Sequence, residues 1–408
     1  MKSAWWIVFV GWLATANPGF AVGVKCDAGP NHKPGATLLF PYFEVDLGNP
    51  AGRTTLLSVN NVLTTPILAR VQIWTDWAIP ALGFDLYLLG SDVQTINLRD
   101  VLVTGTLPVT GSGFNLDAFP GCSTEPPTQA AGRLPTALLD SLRADLTGKL
   151  NALAGGLCAG HSHGDDHARG YITVDVVNRC TGIRAGTEGT PAEVEGDEPY
   201  FLDSGNGLAG DVNALWGDLV FVDGAGNAAQ GVEAVALWAD GSEFTGRTRT
   251  FYGRYSAFDG RDNRVPLASD WRARFLNGGA FTGGTDFLVF RDTRSPDVQR
   301  VRCGSHPSWY PLPTRLVARD ENAVVQSSQP DSTAFGLATQ RVSLASLGIP
   351  TDFGLLELRL QRWTPTGTGG ASRITRYPGW VIPVLTAGGR FSVGVNATAA
   401  EIDCFGPP

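Results

Sequence analysis

Lysine is nearly missing from this 408-residue chain, occurring only as Lys2, Lys25, Lys33 and Lys149. With 31 Lys and Arg against 39 Asp and Glu, the formal net charge is -8 and the isoelectric point lies near 5.2. Such a chain has no basic surface dense enough to wrap a polyanion, which excludes nucleic acid as a partner. No Cys-x-x-Cys pair occurs among the six cysteines, so neither a zinc ribbon nor a thioredoxin-type redox motif can be built from local spacing. There is no Gly-x-Ser-x-Gly elbow to expose a nucleophilic serine. Beyond the N-terminus no apolar run or C-terminal hydrophobic tail supplies a membrane anchor.

What is present begins with Lys2 and the apolar run 4–14, too short to span a bilayer in a mature protein. This is the pattern of a signal peptide, with Ala14 and Ala16, or Gly19 and Ala21, as small residues before a cleavage site. Residues 1–21 are therefore assigned as a leader. Val22-Gly23-Val24-Lys25 before Cys26 lacks the small residues of a lipobox, so Cys26 is free to pair. Export favours disulfides for Cys26, Cys122, Cys158, Cys180, Cys303 and Cys404. Six cysteines allow 15 connectivities. Cys122 and Cys158 flank the polar, helix-prone insertion and Cys26 and Cys404 lie near the two ends, which suggests these two pairs and by remainder Cys180 with Cys303. The localisation expected is secreted, periplasmic or cell-surface.

A composition of 43% hydrophobic and 17% charged residues, with 51 Gly, 26 Pro and 11 Trp, is that of a globular chain rather than a disordered one. Its length exceeds one ordinary core, which favours two modules. Strand signals recur at 36–43, 54–61, 67–77, 84–89 and 93–102, with Pro, Gly or Asn between them, spacing that suits antiparallel pairing. Phe84, Leu86 and Leu88 alternate with Asp85 and Tyr87, the period-2 pattern of one buried face. Leucines then recur at three and four from Leu134 to Leu153, predicting an amphipathic helix from 133 to about 157, opened by Pro135 and closed by Gly155-Gly156. Strand signals resume at 171–177, 218–222, 232–238, 285–291, 315–319, 355–363 and 391–395, the second and third around a turn at 223–227 that reads as a hairpin. The expected fold is mainly β: two antiparallel, immunoglobulin-like β-sandwich modules at 35–122 and 169–404, with a helical insertion at 130–157 between them.

Three of the five histidines fall within seven residues, His161-Ser162-His163-Gly164-Asp165-Asp166-His167. His-x-His places two imidazoles on one side of an extended loop, and His167 turning back would complete a three-nitrogen site for zinc, copper or nickel. Asp165 or Asp166 would then serve as a fourth ligand or as an acceptor behind a histidine. A solvated polar loop explains the same residues. The segment resembles the His-x-His-x-Asp-His signature of the metallo-β-lactamase superfamily through His161, His163 and Asp165. Asp166 stands where that family places a histidine, and His167 is displaced by one. The resemblance implies a zinc or iron hydrolase with αββα layers and further downstream histidines, of which only His306 is on offer.

Other chemistry is thinner. Arg247, Arg249, Arg254, Arg261 and Arg264, interleaved with Phe251, Tyr252, Tyr255 and Phe258, suit stacking on sugars, bases or a partner, and the aromatic segments at 74–77 and 309–310 suit sugar stacking, but a half-buried sheet and its core explain both better. Asp203, Asn206 and Asp211, and Asp223 with Asn227, lack EF-hand spacing and fit turns. The reading is therefore an exported β-sandwich protein with a binding or structural role toward a protein or glycan ligand and no evident catalytic activity. The alternative is a metal-dependent hydrolase or metal-binding protein using the histidine loop, with zinc or copper as its cofactor.

Overall fold

The computed structural model describes residues 33–129, 132–185, 200, 207–239, 264–265, 267–292, 299–305, 315–319, 324–328, 337–347, 349, 351–366, 371–388, 392–394 and 397–399. In chain order the strands are β1 (Thr37–Asp46), β2 (Arg53–Asn61), β3 (Ile67–Thr75), β4 (Pro80–Leu88), β5 (Val93–Asn97), β6 (Leu157–Cys158), β7 (His167–Val177), β8 (Arg184–Ala185), β9 (Leu215–Asp223), β10 (Ala228–Glu233) and β11 (Val235–Leu237). They continue as β12 (Asp270–Leu276), β13 (Gly284–Arg291), β14 (Val301–Arg302), β15 (Arg315–Arg319), β16 (Val324–Ser328), β17 (Thr339–Ser343), β18 (Phe353–Arg359), β19 (Gln361–Thr366), β20 (Ala371–Arg376), β21 (Gly379–Thr386), β22 (Ser392–Gly394) and β23 (Thr398–Ala399). Among the described residues one α-helix, α1 (Thr136–Leu146), interrupts them.

The chain is mainly β, as the alternating patterns predict, and the strand pairings are antiparallel. Four sheets carry the structure: sheet I in the order β10-β9-β2-β5, sheet II β11-β1-β7-β3-β4-β8, sheet III β17-β13-β21-β22, and sheet IV β16-β15-β18-β12-β23. Sheet membership crosses the sequence-based boundary at 169. β7 lies inside sheet II between β1 and β3, and β9 to β11 join sheets I and II. A strand paired on both edges by earlier strands leaves no sequence signal of its partners, because period-2 patterning reports a face and not a neighbour.

Sheet II is buried on both faces. Toward sheet I it presents Leu38, Phe40, Val71, Ile73, Phe84, Leu86, Ile172 and Val174, which form one core with Leu57 and Leu219 of sheet I. Toward sheet III it presents Leu39, Tyr42, Trp74 and Tyr171, which join the core of the second half. Tyr171 meets Phe290 of β13 with ring centroids 4.8 Å apart. Thr285, on the other face of β13, hydrogen-bonds the backbone of Leu276 in β12. The layers thus stack I, II, III, IV. The alternation read in β4 is present, but the face carrying Asp85 and Tyr87 is also buried. Asp85 is sealed there against Arg70 at 3.1 Å and accepts from the backbone nitrogens of Thr181 and Gly182.

Helix α1 is shorter than the leucine spacing predicts. It ends at Leu146, and Leu150 and Leu153, 63% and 56% exposed, lie beyond it. The cause is Gly148, which adopts φ +66° and where a Cβ would stand 2.3 Å from the His161 backbone. Only glycine admits that approach. Leu139, Leu142 and Leu146 pack on the first core, and Arg300 clamps the buried Asp145 of the helix through both guanidinium nitrogens.

The disulfides correct two of the expected pairings. Cys122 bonds Cys180, and Cys158 bonds Cys303. Proximity along the chain is a poor guide where strands cross between sheets: β6 pairs with β14, which puts Val301 opposite Cys158. Cys26, Cys404 and the leader lie outside the described residues.

Candidate functional site

The histidine loop does not assemble the expected cluster. The His161 and His163 rings lie edge to face, 4.7 Å apart. His163 Nε2 is 3.1 Å from Oδ2 of the buried Asp76, whose other oxygen accepts the His161 backbone N–H. His167 belongs to β7 and turns elsewhere, with Nδ1 2.7 Å from Glu44 and Nε2 3.5 Å from Asp46. Asp165 is held by the Arg169 guanidinium, which keeps its carboxyl down at about 2. Lys149 takes Asp166. Among the described residues no three His, Cys, Asp or Glu side chains are placed to hold a metal ion. The cause is local: a strand register places His167 opposite Asp46 and Arg169 opposite Glu44, and cross-strand pairs of opposite charge outcompete a loop closure.

The same register builds another site. Strand β1 carries a bulge between Phe40 and Phe43, where Pro41, which has no N–H to donate, interrupts the ladder. Before the bulge the even positions Leu38 and Phe40 face sheet I; after it the odd positions Phe43 and Val45 do. This change of parity aims Tyr42, Glu44 and Asp46 away from that core. Opposite them stand Arg53, the register partner of Asp223 across β2 and β9, and Arg341, which reaches diagonally across β17 and β13 to Asp286.

Between these strands lies a cleft of about 310 Å³, bounded by sheets I and II on one side and sheet III on the other. Tyr42, Glu44, Arg53, Gln230, Asp286 and Arg341 supply its polar lining. Phe221, Leu288 and Val384 supply its apolar wall. Glu44 is the hub. Burial alone would raise its carboxyl, but Arg53 at 3.1 Å, Arg169 at 3.0 Å, the His167 hydrogen bond and Arg341 hold it at about 2. Burial, reinforced by the charge of Glu44, pushes the Tyr42 hydroxyl well above its ordinary value, so it stays neutral and donates to Glu44 at 3.2 Å.

Gln230 differs from this paired set. It is 6% exposed, and neither its amide nitrogen nor its amide oxygen has a hydrogen-bond partner. Each orphaned polar atom costs roughly 1–3 kcal/mol. The amide lies against Gly394 of β22, where a Cβ would stand 2.5 Å from Nε2.

No family model, curated protein or solved structure matches this chain. The metallo-β-lactamase resemblance gains no support: the described layers are β-sheets throughout, and no family model matches.

Of the other candidates, Arg264 is buried, donating to Thr37 and to the Gly210 carbonyl and reaching Asp211 at 3.4 Å. Trp74 is core, stacked on Tyr171 at 5.6 Å. Asp223 accepts from the Gly226 N–H and pairs with Arg53, which makes it a turn residue and a cleft residue at once. The remaining arginines and aromatics of 247–261, His306, Trp309, Tyr310, Asp203 and Asn206 lie outside the described residues. Sequence reasoning missed Tyr42, Glu44, Arg53, Gln230 and Arg341. One signal was available: a glutamate inside the apolar run 37–45 needs a buried cation.

Proposed function

We propose that the protein is an exported binding protein that seats a small ligand in the cleft between sheets I and II and sheet III. The observation that carries the reading is the orphaned amide of Gln230 in a cleft whose charged side chains are otherwise paired. Proteins rarely leave buried polar atoms bare, and those they do leave bare at a concave, partly apolar wall mark places for a ligand. The cleft volume stands at the small end of ligand pockets. Two disulfides suit an oxidising compartment, and the leader assigned to 1–21 supplies the route. Export is checked by N-terminal sequencing of the protein recovered outside the cytoplasm, which should begin after Ala16 or after Ala21; a retained Met1 contradicts it.

The cleft itself is tested by thermal-shift screening of the full mature chain against sugars, amino acids, organic acids and nucleosides, beside Leu288→Trp, which fills the cleft. Compounds that stabilise the wild type and not the variant support the reading. Equal responses in both proteins contradict it, provided circular dichroism shows the variant folded.

A further inference from the structure

We infer that the ligand of the cleft is a neutral, hydroxyl-rich molecule about the size of one sugar ring, and that Gln230 selects it. The inference rests on the cleft being a binding site and adds the class of ligand.

The charges of the cleft are already spent on each other. Glu44, Asp223 and Asp286 are matched by Arg53, Arg169 and Arg341 at separations of 2.6 to 3.2 Å. An ionic ligand would have to break a partly buried ion pair to enter, leaving one partner uncompensated in a site of low dielectric. A hydroxyl faces no such obstacle. It both donates and accepts, so it inserts beside a paired arginine or carboxylate without displacing the pair.

The only unanswered hydrogen-bonding demand on the cleft lining among the described residues is neutral and two-sided: Gln230 Nε2 has donors to give and Oε1 has lone pairs to fill. Adjacent hydroxyls on one ring answer both at once, whereas an ammonium group can only donate and a carboxylate can only accept. The walls agree, since Phe221, Leu288 and Val384 offer an apolar face to the C–H side of a ring while the opposite side reaches Gln230 and Tyr42. Size agrees also. At about 310 Å³ the cleft lies at the small end of ligand pockets, a size that suits one ring.

Gly394 belongs to this device. A methyl group there would meet Gln230 Nε2 at 2.5 Å and push the amide out of place.

The test is calorimetric titration of the mature protein with two sets of probes. The neutral set is glucose, galactose, mannose and N-acetylglucosamine; the charged set is acetate, glutamate, inorganic phosphate and choline. The expected result is binding of at least one neutral sugar with an affinity that changes less than about twofold between low and high salt, since no counter-charge is screened. Gln230→Leu should weaken that binding about tenfold or more. It should also raise the melting temperature of the free protein, because two orphaned polar atoms are replaced by apolar ones of similar shape. Gly394→Ala should weaken binding without that thermal gain. Preference for a charged probe with salt-sensitive affinity overturns the inference; if Leu288→Trp abolishes that binding, the cleft reading stands without it. Binding of no neutral probe, or unchanged sugar binding by Gln230→Leu, also overturns it.

Discussion

Glu44 and His167 lie 123 positions apart in the chain, and Oε1 of one meets Nδ1 of the other at 2.7 Å. The histidine that sequence spacing assigns to a metal cluster is instead part of a charge network ending in the cleft. That network makes the fold acid-sensitive in a defined window. The Glu44 carboxyl is lowered from 4.5 to about 2 on folding. Its stabilisation is thus fully present above about 4.5 and is lost as pH falls toward about 2. The drop corresponds to roughly 3 kcal/mol. Chemical denaturation at a series of pH values should show this loss in the wild type. Glu44→Gln should be less stable at pH 7 and should lack most of the acid-dependent decline; parallel curves for the two proteins contradict the assignment.

Asp85 offers a second test. Both it and Arg70 are sealed inside sheet II's second face, 1% and 0% exposed at the side chain for Arg70 and Asp85 respectively. Asp85→Ala removes the carboxylate that the buried guanidinium meets at 3.1 Å and that accepts from the Thr181 and Gly182 backbone, and should cost about 3–5 kcal/mol. Urea unfolding measures this, and a loss below about 1 kcal/mol would show that the pair is solvated.

The disulfides are directly checkable. A non-reduced digest should yield the linked peptides Cys122–Cys180 and Cys158–Cys303. The second closes a span of 145 residues and ties the α1 region to the second half. Replacing Cys158 and Cys303 by Ala should lower stability by roughly 2–5 kcal/mol. Linked Cys122–Cys158 peptides would contradict the structure.

Metal content separates the cleft reading from the hydrolase alternative. With His163 on Asp76 and His167 on Glu44, dialysed protein should hold far less than one equivalent of zinc, copper or nickel. A full equivalent that disappears when His161, His163 and His167 are changed to Ala would restore the metal reading.

Much of the secondary structure is legible in the sequence because it follows local rules. Phe84, Leu86 and Leu88 declare a strand, and the segment at 223–227 declares a hairpin, found as β9 and β10. The strand signal at 355–363 is found in β18, where Leu356 and Leu358 are buried. What depends on contacts between distant segments is not legible. The β1 bulge at Pro41 changes the parity of the strand, so no single alternation describes residues 37–46. The helix stops early because Gly148 meets a loop that comes later in the chain. The cleft itself draws on β1, β2, β9, β10, β13, β17, β21 and β22, and no local pattern places residues 42, 230 and 341 together.

Hydrogen–deuterium exchange with and without the sugar that binds best shows whether this protein binds in the cleft. Slowed exchange is expected in peptides covering 42–54, 221–232 and 339–343, with the histidine loop at 160–167 unchanged. Protection confined to that loop, or to the outer edge of sheet IV, would contradict it.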